Sequence, residues 1–152
     1  MKNTKNEYKK RQFITFHIDN HLLGIDILNI REINKNLDIC PVPLSPDYIR
    51  GLLNLRGQIM TVFDLGKRLG FESRKITVES KNIILKDEDV ALLVDCIRDV
   101  IQISEEHVVL PPAGAGEIEE EFVEGIIKLK KELLVIVSAD KILNYKISTE
   151  VV

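Results

Sequence analysis

The side chains that could do chemistry in this sequence are two cysteines, Cys40 and Cys96, and three histidines, His17, His21 and His107. A cysteine beside a histidine can act as an activated nucleophile, and cysteines and histidines at short spacing can bind zinc. The cysteines form no CxxC motif, a predicted turn separates His17 from His21, and nothing around Cys40 resembles a nucleophile turn. The sequence therefore predicts no catalytic residue and no metal site, and both cysteines are interpreted as buried free thiols.

Composition argues against two further classes of function. The 152 residues carry a net charge of -3, which disfavours broad binding to a nucleic-acid backbone. Five Phe, three Tyr and no Trp offer few platforms for stacking bases. The GAG triplet at 114–116 lacks the strand, lysine and helix that a phosphate-binding loop requires. No apolar run approaches the roughly 20 residues that span a bilayer, so we expect a soluble cytoplasmic protein without a cofactor or direct membrane contact.

Apolar and polar residues alternate near the start of the chain. Residues 12–19 predict a strand with one buried face, followed by a tight turn at 20–21 and a return strand at 22–25. Residues 27–33 could be a helical turn that runs into a strand, and periodicity alone does not decide between helix and strand. The SPD triplet at 45–47 has a capping serine and a proline at the first helical position, and it predicts a short helix that ends at Gly51.

The rest of the chain also reads as mostly β. The sequence predicts a strand buried on both faces at 58–64, a helical turn at 65–69 closed by Gly70, and a strand pair at 82–85 and 90–95 joined by a polar turn. Residues 111–116 predict a mobile surface loop, and the acidic stretch 117–121 follows it. A buried strand at 133–137 precedes a last helix at 139–143, which Ser138 caps.

The chain contains an internal repeat. Residues 51–71 align without a gap on residues 125–145, so that Gly51 meets Gly125 at an offset of 74, and apolar residues face apolar residues almost throughout. A weaker echo pairs residues 25–26 with residues 94–95. Each half is too short to bury much surface alone, so the repeat predicts two similar small barrels packed together.

Several short segments stand out by their order and spacing: GIDIL at 24–28, IREI at 30–33, PVP at 41–43, GLLNLRG at 51–57, VFDL at 62–65 and LVD at 93–95. Together they resemble the CheW family of bacterial chemotaxis coupling proteins. The resemblance covers most of the chain. It implies a mostly β fold of two SH3-like, five-stranded β-barrels related by pseudo-symmetry, with a few short helices and no catalysis.

The resemblance also implies a domain layout and partners. We expect a tail at 1–11, one CheW-like domain at 12–145 with barrels near 12–75 and 80–145 that exchange strands, and a tail at 146–152. The implied partners are the regulatory domain of the histidine kinase CheA, which is itself CheW-like, and the cytoplasmic tip of chemoreceptors. A protein that is monomeric alone would join these partners in arrays at the inner membrane.

The same resemblance suggests a groove for a receptor helix. Its candidate residues are Ile30, Glu32, Gly51, Leu52, Arg56 and Val100. The guanidinium of Arg56 could donate to a partner, or it could form an internal ion pair with Glu32, and the sequence leaves both open. The kinase-contact residues remain unassigned. Ala91 and the lysines at 130–131 stand where the family often has glycine.

Other functions remain as alternatives. The same fold could serve a chemosensory kinase pathway outside motility, or it could form rings of adaptors alone. A small SH3-like nucleic-acid-binding barrel is a further alternative, which the acidic balance opposes.

Overall fold

The computed structural model describes residues 8–111 and 117–144. The described residues form ten strands and two short helices, so the predicted mostly β class is confirmed. The strands are β1 Lys10–Ile18, β2 His21–Asp26, β3 Ile30–Asn34, β4 Ile49–Leu55, β5 Gln58–Asp64, β6 Lys81–Leu85, β7 Val90–Val94, β8 Cys96–Ser104, β9 Val123–Lys128 and β10 Leu133–Val137. The helices are α1 Leu65–Leu69 and α2 Ala139–Leu143. Within these ranges, neither helix has the length or apolar character needed to span a bilayer.

The strands form two five-stranded sheets with the same plan. The first sheet has the order β3-β6-β7-β5-β4, and the second has the order β8-β1-β2-β10-β9. In each sheet one pair of neighbours runs parallel, β5 with β7 and β10 with β2. Each sheet curls into a small SH3-like barrel, and an isolated β-bridge helps to close it. In the first barrel the segment after β3 bridges to β4, from Cys40 to Leu52. In the second barrel the segment after β8 bridges to β9, from Val109 to Ile126. The β1–β2 hairpin belongs to the second barrel, whereas β6 and β7 complete the first.

The internal repeat is present in the backbone. A bulge shifts the β4–β5 register between the pairs Ile49–Phe63 and Gly51–Val62, and the β9–β10 register shifts at the equivalent pairs, 74 residues later. Asp64 caps α1 and Ser138 caps α2 in the same way: each side chain accepts a hydrogen bond from the backbone N–H three residues later. The weaker echo of residues 25–26 with residues 94–95 is wrong in register. Val62 and Ile136 are equivalent in the repeat, and their parallel partners are Ala91 and Gly24. Gly24 is therefore equivalent to Ala91.

Three apolar cores hold the fold together. One fills each barrel, around Met60 in the first and Leu134 in the second. A larger core lies between the barrels and contains side chains of both sheets, including Phe16, Leu23, Phe63 and Leu92. Each fully buried side chain of this size contributes about 1.5–3 kcal/mol. The interface between the barrels is therefore a true core, which fixes one barrel against the other.

Two predictions about local structure are wrong. Strand β1 is buried on both faces, because Phe13 and Thr15 are also covered, at 0% and 4% exposure. This central strand serves the core of its own barrel on one face and the shared core on the other. Residues 45–47 start no helix; Ile49 donates to the Pro46 carbonyl in a single turn, and β4 begins at once.

Smaller points of the sequence prediction are resolved. Residues 27–33 form a 3-10 turn at Ile27–Asn29 that runs directly into β3. The first tight turn lies at Asp19 and Asn20, one residue earlier than expected. Residues 112–116 of the predicted surface loop lie outside the described residues, as do 1–7 and 145–152 of the predicted tails. The barrel boundaries and tails therefore remain predictions.

A polar cluster ties the turns of the two barrels to each other. The side chain of Arg74 is 5% exposed, and its guanidinium donates to Asp19 and Asp95, with closest distances of 3.0 Å to each. Its backbone N–H donates to Asp64 at 2.8 Å, and its carbonyl accepts from Arg50 at 2.6 Å. Since Asp19 belongs to the second barrel and Asp64 to the first, Arg74 links both. We call these five residues the Arg74 cluster.

Candidate functional site

A tight hairpin presents Arg56. Arg56 and Gly57 connect β4 to β5 as a two-residue loop, and both have positive φ, 51° and 88°. Two-residue hairpin loops of this kind favour glycine at such positions. The Asn54 side chain accepts from the Gly57 N–H at 2.8 Å and stabilises the turn. The hairpin therefore holds the base of the Arg56 side chain in a defined position while its head stays 62% exposed.

Arg56 and Glu32 form an ion pair across the open side of the first barrel. One terminal nitrogen of Arg56 donates to both carboxylate oxygens of Glu32, at 2.7 and 2.9 Å. Arg31 donates to Gln58 at 3.2 Å beside it. Because β3 and β4 are the two edges of the sheet, the ion pair from Glu32 of β3 to Arg56 of the loop after β4 spans edges that the strand order leaves apart, and Arg31 reaches the start of β5. Of the two roles that the sequence left open for Arg56, the internal pair is present.

The ion pair changes the acidity of Glu32. The hydrogen bond from Arg56 lowers the pKa of Glu32 below its usual range, against the opposing effect of desolvation, and Asn34 adds a second donor. A depressed pKa in the folded state means that the pair stabilises the fold above the ordinary glutamate pKa of about 4.3 and is lost as the pH falls through the folded value. The pair is intact near neutral pH.

We expect the carboxyl resonance of Glu32 to titrate at a lower pH than in an Arg56→Gln variant. Carbon-detected NMR of the side-chain carboxyl carbons measures both midpoints directly. The Arg56→Gln variant removes the charge and keeps a polar side chain on the same hairpin. Equal midpoints in the two proteins would contradict the ion pair.

Beside the ion pair, β4 carries the next two candidate residues. Leu52 is 37% exposed, and its backbone exchanges two hydrogen bonds of 2.8 Å with Cys40. Gly51 is buried directly beneath the Cys40 segment, where an added Cβ would lie 2.3 Å from the Cys40 carbonyl oxygen. Gly51 is thus a strand residue that allows close approach of two backbones. The prediction that Gly51 ends a helix is therefore wrong.

We expect Gly51→Ala to destabilise the first barrel by more than Gly57→Ala. Both glycines have positive φ, but a Cβ added at Gly51 would meet backbone, whereas a Cβ added at Gly57 would meet nothing within 4 Å. Conformational strain alone costs about 1–3 kcal/mol, and Gly51→Ala adds a steric clash to it. Urea unfolding of the two variants measures the difference. An equal loss for both would show that the Cys40 segment moves aside freely.

The remaining two candidates lie on different sheets. Ile30 begins β3 and packs, half buried, against the shared core. Val100 lies on β8 of the second barrel, opposite Ile14 of β1, and is 53% exposed. The structure therefore brings Glu32 and Arg56 into contact and places Gly51 and Leu52 on the adjoining strand. Val100 belongs to the other barrel, and Ile30 lies partly within the core.

Sequence reasoning missed two groups of polar residues. The first is the Arg74 cluster, whose only local signals were the acids that end strands, Asp64 and Asp95. The second is a contact of 3.8 Å between Sγ of Cys96 and Nδ1 of His17. The interpretation of both cysteines as buried free thiols is wrong for Cys40, which is exposed, and Cys96 is half buried. Among residues 8–111 and 117–144, no three or more His, Cys, Asp or Glu side chains are grouped as metal ligands would be.

Comparison with known proteins decides the family. A family model described as "CheW-like domain" matches residues 12–146. The chain belongs to the CheW family. It is 34% identical to the chemotaxis protein CheW of Treponema pallidum over 143 residues, covering 89% of this chain and 83% of that protein. It is 32% identical to the CheW of Thermotoga maritima over 152 residues, covering 95% of each chain.

The fold is likewise similar to that of a solved CheW structure. The crystal structure of the scaffolding protein TtCheW from Thermoanaerobacter tengcongensis has a TM-score of 0.82 to this chain, at 30% identity and 95% coverage of both chains. The family resemblance and the fold expected from it are therefore confirmed. The hairpin that carries Arg56 lies within the matched residues of the CheW-like domain.

Proposed function

We propose that this chain is a chemotaxis adaptor that couples chemoreceptors to the histidine kinase CheA and has no catalytic activity of its own. The observation that carries the proposal is the Glu32–Arg56 pair, a charged rim beside exposed apolar side chains on a CheW-family fold. A shared core fixes the two barrels against each other, so surfaces on both can meet one rigid partner at once. Such a body suits a scaffold.

The receptor partner would be an amphipathic helix from the receptor's cytoplasmic tip. Apolar side chains of a helix dock in grooves that are apolar at the floor and polar at the rim. Leu52 and Val100 supply exposed apolar surface, and Arg56 keeps donors available for helix carboxylates. In this proposal Ile30 and Gly51 shape the floor, and Glu32 holds the guanidinium of Arg56 in place.

The kinase partner would dock on the ends of the barrels. Ile59 on β5 and Leu133 on β10 are equivalent in the repeat, and they are 53% and 52% exposed. Exposed apolar side chains at matching positions offer each barrel end the same kind of contact. A CheW-like regulatory domain has barrel ends of its own that could meet them. The adaptor would then be cytoplasmic, monomeric alone, and held at the inner membrane through receptors.

Binding to two purified fragments tests the proposal. The full chain is mixed with a kinase regulatory domain and, separately, with a receptor-tip fragment, and binding is measured by calorimetry. We expect both to bind, and we expect Ile59→Asp or Leu133→Asp to reduce kinase binding without reducing receptor binding. Val78→Asp is the matched control, because Val78 is 95% exposed in a loop.

The alternatives give different results in the same experiment. A chain that binds neither fragment but binds DNA or RNA with strong salt dependence would be a nucleic-acid-binding barrel. An adaptor outside motility would bind regulatory and receptor fragments of a different pathway. Unchanged kinase binding in folded Ile59→Asp and Leu133→Asp variants would show that the barrel ends are not the contact.

A further inference from the structure

A thiol and an imidazole meet at the edge of a polar cavity that the proposed function does not use. Cys96 begins β8 and faces His17 of β1 across the sheet, with Sγ 3.8 Å from Nδ1. A cavity of about 510 Å³ opens beside both residues. Its remaining wall includes Arg74 and the loop that follows it. Both side chains are half buried, so small molecules reach the thiol.

His17 is placed to accept the thiol proton. A neutral imidazole carries its proton on one nitrogen, so Nδ1 is an acceptor when Nε2 bears the hydrogen. The thiolate is the reactive form of cysteine, and a neighbouring base favours it. The cavity also contains the cations Arg74 and Lys75 and the carboxylates Asp19, Glu72, Glu79 and Asp95. The carboxylates of Asp19 and Asp95 accept hydrogen bonds from Arg74. The ring of His17 contacts the sulfur of Cys96.

The second cysteine has a different environment. Cys40 is exposed, and its sulfur lies 3.9 Å from the carbonyl oxygen of Pro41. A carbonyl oxygen cannot take up the thiol proton. Exposure alone therefore predicts that Cys40 reacts faster, whereas a neighbouring base predicts the opposite order. The two cysteines form an internal comparison within one chain.

We propose that Cys96 is a redox modification site that reacts with hydroperoxides with the help of His17. Nδ1 of His17 takes the thiol proton, and the thiolate attacks one oxygen of hydrogen peroxide. The S–O bond forms as the O–O bond breaks, and the released hydroxide takes the proton from His17 to become water. Sulfur loses two electrons and peroxide gains them, so Cys–SH and H₂O₂ give Cys–SOH and H₂O.

The rate of sulfenic acid formation tests the site, independently of the adaptor function. Full-length Cys40→Ser and Cys96→Ser variants, each with one thiol, are treated with hydrogen peroxide, and dimedone adducts are followed by intact-mass spectrometry. We expect Cys96 to react at least about tenfold faster than Cys40 in the folded protein. In concentrated urea, where His17 is no longer beside Cys96, the two rates should converge.

Substitution of the imidazole provides the second arm. In the Cys40→Ser background, His17→Gln should slow the reaction of Cys96 at least about fivefold, and His107→Gln should not change it, because His107 lies exposed at the other end of β8. An unchanged rate in a folded His17→Gln variant would overturn the proposal. Since the comparison with Cys40 needs no change at His17, a Cys96 that reacts no faster than Cys40 would overturn it even if His17→Gln fails to fold.

Discussion

Replacing Arg74 by methionine is expected to lower the free energy of unfolding by about 3 kcal/mol, because hydrogen bonds that involve charged groups contribute about 1.5–3 kcal/mol each and several are lost together. The partner carboxylates of Asp19 and Asp95 are 53% and 28% exposed, so water replaces part of what Arg74 provided. The guanidinium donates to Asp19 and Asp95 and to the Glu72 carbonyl, and all three lose this donor together. Asp95 keeps the hydrogen bond from the backbone N–H of Asp19 at 2.7 Å. Methionine keeps a long unbranched side chain over Gly66, where Cδ and the guanidinium of Arg74 lie. Urea unfolding monitored by circular dichroism measures the loss.

Lys75→Met is the matched control for this prediction. It removes the same charge one residue away, at an exposed position, and should change the free energy of unfolding by no more than about 0.5 kcal/mol. If Arg74→Met proves as mild as Lys75→Met, the Arg74 cluster contributes little to stability and the shared apolar core alone fixes the barrels. A loss confined to Arg74 assigns that role to the cluster.

Reversing the charge at position 56 is expected to weaken binding of a receptor-tip helix by at least about tenfold, or about 1.4 kcal/mol, with little change in stability. Arg56→Glu removes the exposed donors and sets two carboxylates against each other at the hairpin. Because the side chain is 62% exposed, the folded protein tolerates the change. Calorimetric titration with the receptor fragment and thermal unfolding measure the two effects separately. Lys128→Glu, the same reversal on the second barrel, should leave receptor binding unchanged.

A charge swap distinguishes direct contact from internal support. The double variant Glu32→Arg with Arg56→Glu restores an ion pair between the same two positions but moves the exposed guanidinium from the hairpin to β3. We expect receptor binding to remain weak in the double variant, because the donors no longer face the partner from the hairpin. Full recovery would show that the pair acts only by holding the hairpin, and wild-type binding by Arg56→Glu alone would remove this residue from the site.

Local patterns in the sequence predicted much of the fold. The helices at Leu65–Leu69 and Ala139–Leu143 were predicted with their bounds, because capping residues and the closing Gly70 act within a few residues of each other. The pair β6–β7 was predicted from two short apolar segments joined by a polar turn. The failed helix at 45–47 shows the limit of this reasoning. Its capping signal was present, but the bridge from Cys40 to Leu52 and the start of β4 left room for one turn only.

The sequence by itself determined the family, the repeat at an offset of 74 and the local elements, since each depends on residues close in the chain or on likeness between two stretches. Only the tertiary structure decided which barrel each hairpin joins, that Arg74 links the barrels, and that His17 meets Cys96. These contacts join residues 21 to 79 positions apart. Pairing over such distances is selected by which apolar faces can be buried together, and that choice depends on every strand at once.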